Sequence, residues 1–441
     1  MIERKVILIN NYNPYEDILK DDRIIVNNKT TVGNTILIKA KLKPSDSYTC
    51  PICNSTNYRL YGHANRSFKE KFYDNYKTII NLEIQKIQCK DCLSVFRDST
   101  TLLYGKERIS LHTKMVVLQK LKEDVTLTHV AKEVGISPQE AYNIFNSYVN
   151  IERHELPEVL CIDEFKNLKS ADGKYAVVLY DPINSIIIDV LESRLLKNLD
   201  EYFYHISFDE KKGVKYIVSD MYEGFRSVKK RHFPNATHIV DSFHYVRYVT
   251  EAVNTIRINL MNHFGEHTPT YRILKKYWNL ITRPINNIKD FISYNPIRKE
   301  KTNSDTIIND CLDLSPDLKT GYSLKEDFFI GFDTVHFEDA NAFLNTFKTN
   351  CMESNLETFI SLANTISAWQ EEIVNSFIRF GDKRLNNGYL EGMNNRIKVI
   401  KKIGYGYKNF YYFRNRLMYN INFNEPLKEI DINTIPRTKR K

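Results

Sequence analysis

The side chains in this chain best suited to chemistry are a set of acids and two pairs of cysteines. Asp163 closes the apolar run Val159-Leu-Cys-Ile162, and Asp220 follows Val214-Lys-Tyr-Ile-Val218 and Ser219. If the two runs are parallel neighbours in one sheet, both carboxylates project at its carboxyl edge, where open α/β sheets hold ligands. Two carboxylates a few ångströms apart repel each other. A divalent cation relieves that repulsion, and hard oxygen donors select Mg²⁺ or Mn²⁺.

A third acid, Glu391, lies in Leu390-Glu-Gly-Met-Asn-Asn-Arg-Ile-Lys-Val-Ile-Lys-Lys402. Leu390, Met393, Ile397 and Ile400 fall on one helical stripe, and Glu391, Asn395, Lys398 and Lys402 on a second. The first stripe is expected to dock on the sheet. The second would carry the acid to the cation and Lys398 and Lys402 to phosphates. Taken singly, a strand-end Asp is more often a turn or cap residue. Asp241 competes for the same role, because Val240-Asp241-Ser-Phe-His244 also ends a strand. Asp241 and His244 could stand beside the cation or merely start the next helix.

Cys50-Pro-Ile-Cys53 and Cys89-Lys-Asp-Cys92 are two CxxC knuckles, and each spacing lets both thiolates reach one tetrahedral ion. The β-rich stretch Tyr76 to Ile87 between them predicts a zinc ribbon, a module too small to build its own core without the metal. Reduced knuckles or a redox pair are the alternatives. Cys161, Cys311 and Cys351 stand alone and are expected to be core thiols.

These groups need a frame. Residues 1–45 are expected to be strands or a loose N-terminal arm, and 46–100 the ribbon. In 101–152 the spacing turns helical: Leu127, Val130, Ala131 and Val134, then Gly135, Ser137 and Pro138, then Ala141, Ile144, Phe145 and Tyr148. Gly135 permits a tight turn and Ser137 can cap the second helix, which together predict a helix-turn-helix. Its second helix would turn Gln139, Glu140 and Asn143 toward a DNA groove; an ordinary helical hairpin is the plainer reading.

From 153 to 241 three hairpin-linked strands, a helix, a strand, a helix and a strand follow in order. That succession predicts an α/β domain of RNase H-like topology, by analogy alone. Residues 242–380 show almost no strand pattern and read as a helical insertion, with Asn303, Ser304 and Asp305 on a loop. Residues 381–425 would return to the catalytic core, and 426–441 form a basic tail.

Composition agrees with a globular chain that meets a polyanion. Of 441 residues, 42% are apolar and 27% charged, with a net charge of +9. Between Arg379 and Arg416 ten basic residues face two acids, a local net of +8, interleaved with Tyr405, Tyr407, Phe410, Tyr411, Tyr412 and Phe413. Such a segment suits nucleic acid. It would equally suit a solvated helix face beside a packed aromatic cluster. The N-terminus lacks the apolar stretch of a signal peptide and no run is long enough for a membrane span, so a soluble intracellular protein is expected.

The paired knuckles, the helix-turn-helix, Ile162-Asp163-Glu164-Phe165, Ser219-Asp220, Val240-Asp241-Ser-Phe-His244 and Leu390-Glu391-Gly-Met-Asn-Asn-Arg-Ile-Lys398 with Gly404-Tyr405-Gly406 carry a resemblance. Over nearly its full length the chain resembles the ISL3-family transposases of bacterial insertion sequences. The resemblance implies a DDE triad of Asp163, Asp220 and Glu391 holding Mg²⁺ or Mn²⁺, with a helical insertion before the glutamate. It implies metal-dependent cleavage and strand transfer of double-stranded DNA, acting on terminal inverted repeats and target DNA. DNA contacts are expected from Gln139, Asn143, Asn395, Arg396, Lys398, Lys401 and Lys402. A homodimer in a synaptic complex and a cytoplasmic, nucleoid-associated location follow from the same reading. Ser242 departs from the family, which often has Arg there. Two rivals remain: a DNA-binding regulator without catalysis, and a nuclease of the same fold that never joins strands.

Overall fold

The computed structural model describes residues 21–73, 76–103, 107–381, 383–385, 388–404 and 406–422; the side chains of Phe72, Tyr73, Lys383, Tyr389, Leu390 and Glu391 fall outside that description. Two compact units divide the chain. One comprises residues 1–153, 168–171 and 396–441, the other 154–167 and 172–395.

The first unit begins with β1 (Ile24–Val32), β2 (Thr35–Leu42), β3 (Tyr58–Tyr73), β4 (Tyr76–Cys89) and β5 (Val95–Arg97). They form one sheet in the order β1-β2-β4-β3, with β5 on β4. Gly33, at φ +57°, makes the two-residue turn that joins β1 to β2. Strict alternation in β2 buries Ile36, Ile38, Ala40 and Leu42 against Ile80, Leu82 and Ile84 of β4 and Phe68 of β3. The strands at 24–42 are thus no separate arm. β2 pairs in parallel with β4 and extends the ribbon's own sheet.

Next come α1 (Leu111–Lys120), α2 (Leu127–Val134) and α3 (Pro138–Tyr148). Gly135 ends α2 in the left-handed region at φ +83°. Ser137 and Glu140 then form a reciprocal capping box with Pro138 at the first position of α3. Val130, Ala131 and Val134 meet Ala141, Ile144 and Phe145 in the core between them.

The second unit opens with β6 (Val159–Lys166), β7 (Tyr175–Asp181) and β8 (Ile186–Leu191), then α4 (Leu196–Tyr204), α5 (Phe208–Lys212), β9 (Tyr216–Ser219), α6 (Glu223–His232) and β10 (Thr237–Val240). The sheet order is β10-β9-β6-β7-β8. β6, β7 and β8 run as an antiparallel meander, while β9 and β10 lie parallel to β6. Leu160, Ile162, Val177, Leu179, Ile188 and Ile217 pack against Leu199 and Phe203 of α4 and Phe225 and Val228 of α6. Val159, Cys161, Val178 and Val218, at the alternate positions, are buried as well. Burial on both faces explains the near-continuous apolar runs of these strands.

After β10 the chain becomes helical: α7 (Ser242–Phe264), α8 (Pro269–Lys276), α9 (Trp278–Thr282), a hairpin of β11 (Ile292–Asn295) and β12 (Glu300–Asn303), then α10 (Ser304–Leu312), α11 (Pro316–Thr334), α12 (Phe337–Glu353), α13 (Glu357–Ala368) and α14 (Gln370–Asn375). β13 (Arg379–Phe380) and β14 (Lys383–Arg384) make a second short hairpin, followed by α15 (Gly388–Ile403) and α16 (Phe410–Asn422). The insertion has its own apolar core, from Val249 and Val253 of α7 to Phe328, Leu344, Phe359 and Ile373.

Three expectations change here. Asn303 to Asp305 are not a loop: Asn303 ends β12 and accepts from Thr306 N to cap α10. The β11–β12 hairpin escaped the pattern because Glu300-Lys-Thr-Asn303 is charged and largely exposed. A further short strand, β13, follows α13 and α14 at the end of the same region, where the sequence showed almost no strand pattern. Among the described residues no helix is long and apolar enough to cross a membrane.

Candidate functional site

Strand register brings the acids level. Ile162 of β6 pairs with Ser219 of β9, and Ser219 pairs in turn with Val240 of β10. Asp163, Asp220 and Asp241 therefore follow one row across three parallel neighbours. Asp163 does not end its strand, as the sequence had suggested. The parallel ladder with β9 stops at Ile162, but the antiparallel partner β7 carries β6 on to Lys166. The next residue, Glu164, is tied instead to Arg194.

Asp220, Asp241 and His244 each offer a ligand atom, and those atoms lie within 4.8 Å of one another. Asp241 N–H donates to the Ser219 carbonyl, and the Asp241 carboxylate accepts from Phe243 N at 3.4 Å as the N-cap of α7. That cap starts the helix so that its first turn brings His244 back: its Nε2 lies 2.7 Å from Asp220 Oδ1. Burial works against a charged His244, but the contact with Asp220 and the nearby Asp241 outweigh it and raise its pKa. Asp241 therefore caps α7 and at the same time lies beside Asp220 and His244.

Asp163 joins this group electrostatically. Burial and then the Asp220 charge push its carboxyl up to about 7, against the Glu164 N–H and Asn394 hydrogen bonds and His244. Glu164 N donates to Asp163 Oδ1 at 2.7 Å, and Asn394 Nδ2 donates to Oδ2 at 2.6 Å. Asn394 belongs to α15 and was not singled out from sequence. Its one visible signal is its spacing of three residues from Glu391. Glu391 itself lies on α15, with its side chain outside the described residues. The Asn394 Oδ1 is buried without a hydrogen-bond partner among the described residues. An orphaned amide oxygen beside a carboxyl pushed toward its neutral form is a pair of oxygen donors that a cation would satisfy, so the donor set fits a divalent ion.

Behind the row of acids lies a network that no short-range pattern foretells. Ser219 Oγ is 2.9 Å from His238 Nε2, and His238 Nδ1 is 3.8 Å from Glu372 of α14. Arg226 of α6 clasps Glu372 at 2.7 and 3.0 Å, donates to the Ala368 carbonyl at 2.8 Å and lies over the Trp369 ring at 3.6 Å. Asn375 donates to the His238 carbonyl at 2.9 Å. The strands that lead into Asp220 and Asp241 are thereby bolted to α13 and α14.

In the first unit the four knuckle cysteines converge. Cys50 and Cys92 sulfurs are 3.5 Å apart, Cys53 and Cys89 3.6 Å, and all four lie within 4.8 Å of one another. The Ser94 hydroxyl beside Cys50 holds that thiol down to about 6. Four sulfurs this close fit a closed tetrahedral zinc site. Cys161, Cys311 and Cys351 are buried apart from them, as expected of core thiols.

The expected DNA-contact residues divide. Gln139 and Asn143 are exposed on α3, with Gln139 Nε2 donating to Asn143 Oδ1 at 2.9 Å. Glu140 is half-buried and held by the capping box and an ion pair with Lys69 at 2.8 Å. On α15, Asn395, Lys398 and Lys402 are exposed and Lys401 half-buried, whereas Arg396 donates at 3.2 Å to the Asn420 carbonyl and side chain. Much of the basic, aromatic C-terminal segment is structural. Arg416 donates to the Glu123 and Val125 carbonyls, Arg414 to that of Ile151, and Tyr412 and Tyr419 complete the core of α1 to α3. α16 therefore belongs with α1 to α3, in the first unit, where the sequence had suggested a return to the catalytic core over 381–425. Residues 423–441, including the basic tail, lie outside the described residues.

Comparison with known proteins agrees with this picture. A transposase family model, DDE_Tnp_ISL3, matches residues 160–417, from β6 through α16. The transposase for insertion sequence element IS1001 of Bordetella parapertussis is 21% identical over 387 residues, covering 86% of this chain and 90% of that protein. A Lactococcus lactis subsp. lactis protein named ATP-dependent protease is 32% identical over 112 residues, 25% of this chain and 33% of that one. The family match spans all three aspartates, the helical insertion and the helix that carries Asn394, and on that evidence this chain belongs to the ISL3 family of DDE transposases.

Proposed function

We propose that this protein binds the terminal inverted repeats of an insertion sequence and catalyses cation-dependent DNA cleavage and strand transfer, with Asp163, Asp220 and Glu391 as its catalytic acids. The supporting observation is the Asn394–Asp163 hydrogen bond, which ties α15 to the central strand β6. Glu391 precedes Asn394 by three residues, a spacing that shares a helix face. The strand order, three meandering strands followed by two parallel ones, supports an RNase H-like reading of this domain by topology.

Asp163, Asp220 and Glu391 would hold Mg²⁺ or Mn²⁺, with Asp241 and His244 beside them. Bound there, the ion would polarise the scissile phosphate and lower the pKa of the attacking hydroxyl. The chain's own residues do the rest. Asn394 fixes the Asp163 carboxylate from one side and the Glu164 N–H from the other. His244, held by Asp220, adds positive charge where the three aspartates concentrate negative charge. Gln139 and Asn143 of α3 read base edges, and Lys398, Lys401 and Lys402 meet phosphates. Zinc in the four-cysteine site keeps the ribbon folded as part of the DNA-reading unit. Two copies would pair two element ends, in the cytoplasm at the nucleoid.

The test is cleavage of a duplex carrying an element end, in Mg²⁺ or Mn²⁺, by the wild type and by Asp163→Ala, Asp220→Ala and Glu391→Ala. Each substitution is expected to abolish cleavage and spare end binding. Retained cleavage in any one removes that acid from the triad. Precut ends then separate a transposase, which joins them to target DNA, from a nuclease, which does not. A wild type that binds and never cuts is a regulator.

A further inference from the structure

The helical insertion carries a cationic cleft that the catalytic reading does not use. It lies between α8 and the β11–β12 hairpin, encloses about 500 Å³, and is lined by Pro269, Arg272, Lys275, Lys276, Tyr294, Pro296 and Lys299. Four of those seven residues are cations and none is an acid. All four are exposed, and none is ion-paired with a carboxylate among the described residues. Arg272, Lys275 and Lys276 share one face of α8 by their spacing of three and four, and Lys299 opposes them from the hairpin.

The cleft is a built structure and not a chance cluster on a loose loop. Buried Asn295 accepts from Ile297 and Arg298 N–H groups and donates to Asp310 at 2.6 Å. Arg298 grips the same carboxylate at 2.7 and 2.8 Å, so the turn is anchored to α10. Lys299 then sits at φ +60°, its N–H bonded to the Asn295 carbonyl. On the other wall Tyr277 donates to the Tyr294 carbonyl at 2.6 Å and stacks on Phe291. Arg298 is consumed in fixing the turn. Arg272, Lys275, Lys276 and Lys299 remain exposed beside Tyr294 and Ile292, with Lys275 Nζ donating to the Tyr271 hydroxyl at 3.3 Å and Lys276 Nζ to the Ser293 hydroxyl at 3.4 Å and no carboxylate on either.

We infer that this cleft binds the phosphate backbone of duplex DNA, giving the insertion a DNA contact of its own. Charge complementarity selects the occupant: cations from two rigid walls, with no acid among them, match a continuous row of phosphates. An exposed aromatic and an isoleucine at the hairpin add apolar contact with the sugar edge.

The experiment measures affinity of the full chain for a duplex of about 40 base pairs at several salt concentrations, without divalent cation so that no cleavage occurs. The set Arg272→Ala, Lys275→Ala, Lys276→Ala and Lys299→Ala is expected to weaken binding about tenfold or more. It should lower the slope of log K against log salt by about 3.6, near 0.9 for each of four phosphates that are no longer neutralised. Lys275→Arg, Lys276→Arg and Lys299→Arg should keep the wild-type slope. A control set of equal charge, Lys197→Ala, Lys215→Ala, Lys230→Ala and Lys319→Ala, should leave it unchanged. An unchanged slope in the first set, or an equal fall in the control set, overturns the proposal. Because the readout is binding alone, failure of the triad assignment would leave this result standing.

Discussion

Asn394 donates a 2.6 Å hydrogen bond to Asp163 although 231 residues separate them. The bond closes the loop from the central strand, through the insertion, to the helix that carries Glu391. It also places an amide, whose oxygen is left unpartnered among the described residues, against a carboxyl that burial and Asp220 push up to about 7.

Asn394→Ala should slow DNA cleavage while leaving end binding intact. A hydrogen bond to a charged group contributes about 1.5–3 kcal/mol, which corresponds to roughly a ten- to hundredfold fall in rate. Single-turnover cleavage of an end duplex measures it. A rate equal to wild type would show that Asn394 does not position Asp163.

The ribbon should carry one zinc ion per chain. Cys53→Ser with Cys92→Ser should abolish zinc retention in metal analysis. Chelation of the wild type should unfold the β1–β5 sheet, because binding of the ion contributes on the order of 10 kcal/mol in small zinc modules. A first thermal transition unchanged by chelator would contradict a structural metal.

His238 gives the fold a definite acid sensitivity. Burial holds its pKa down to about 4, with Glu372 opposing and Arg226 and Lys229 assisting. Between the unfolded value near 6.5 and about 4, the unfolded chain binds the extra proton. Stability therefore rises with pH across that window and declines as pH falls through it. The full effect is about 3 kcal/mol. Urea midpoints from pH 7 to 4 should fall for the wild type and fall less for His238→Gln; parallel curves would refute the assignment.

The α2–α3 pair should depend on its turn. Ser137→Ala removes the capping box at a cost of about 1 kcal/mol. Gly135→Val, at φ +83°, should cost at least as much, since left-handed backbone disfavours β-branched residues. Gln139→Ala should leave stability within about 0.5 kcal/mol and weaken only specific end binding. Denaturant midpoints read alongside end-duplex affinity separate these outcomes.

Local chemistry is legible in the order of the amino acids. The CxxC spacing, the Gly135-Ile-Ser137-Pro138 turn, and the apolar runs ending at Ile162, Ser219 and Val240 each act over a few residues, so their meaning does not depend on distant parts of the chain. The β11–β12 hairpin was not legible, because its strands are only four residues each, β12 is charged, and the turn is held by Asn295 and Arg298 bonds to Asp310 rather than by an alternating apolar face.

The sequence by itself determined the donor types, the apolar runs that lead into each aspartate and the turn between α2 and α3. Only the tertiary structure decided their company. It set Asp241 and His244 beside Asp220, brought Asn394 to Asp163, and assigned α16 with Arg414 and Arg416 to the core of α1 to α3. The reason is physical: a carboxylate's partner, or the carbonyl that captures an arginine, depends on which surfaces are buried together, and burial couples residues hundreds of positions apart.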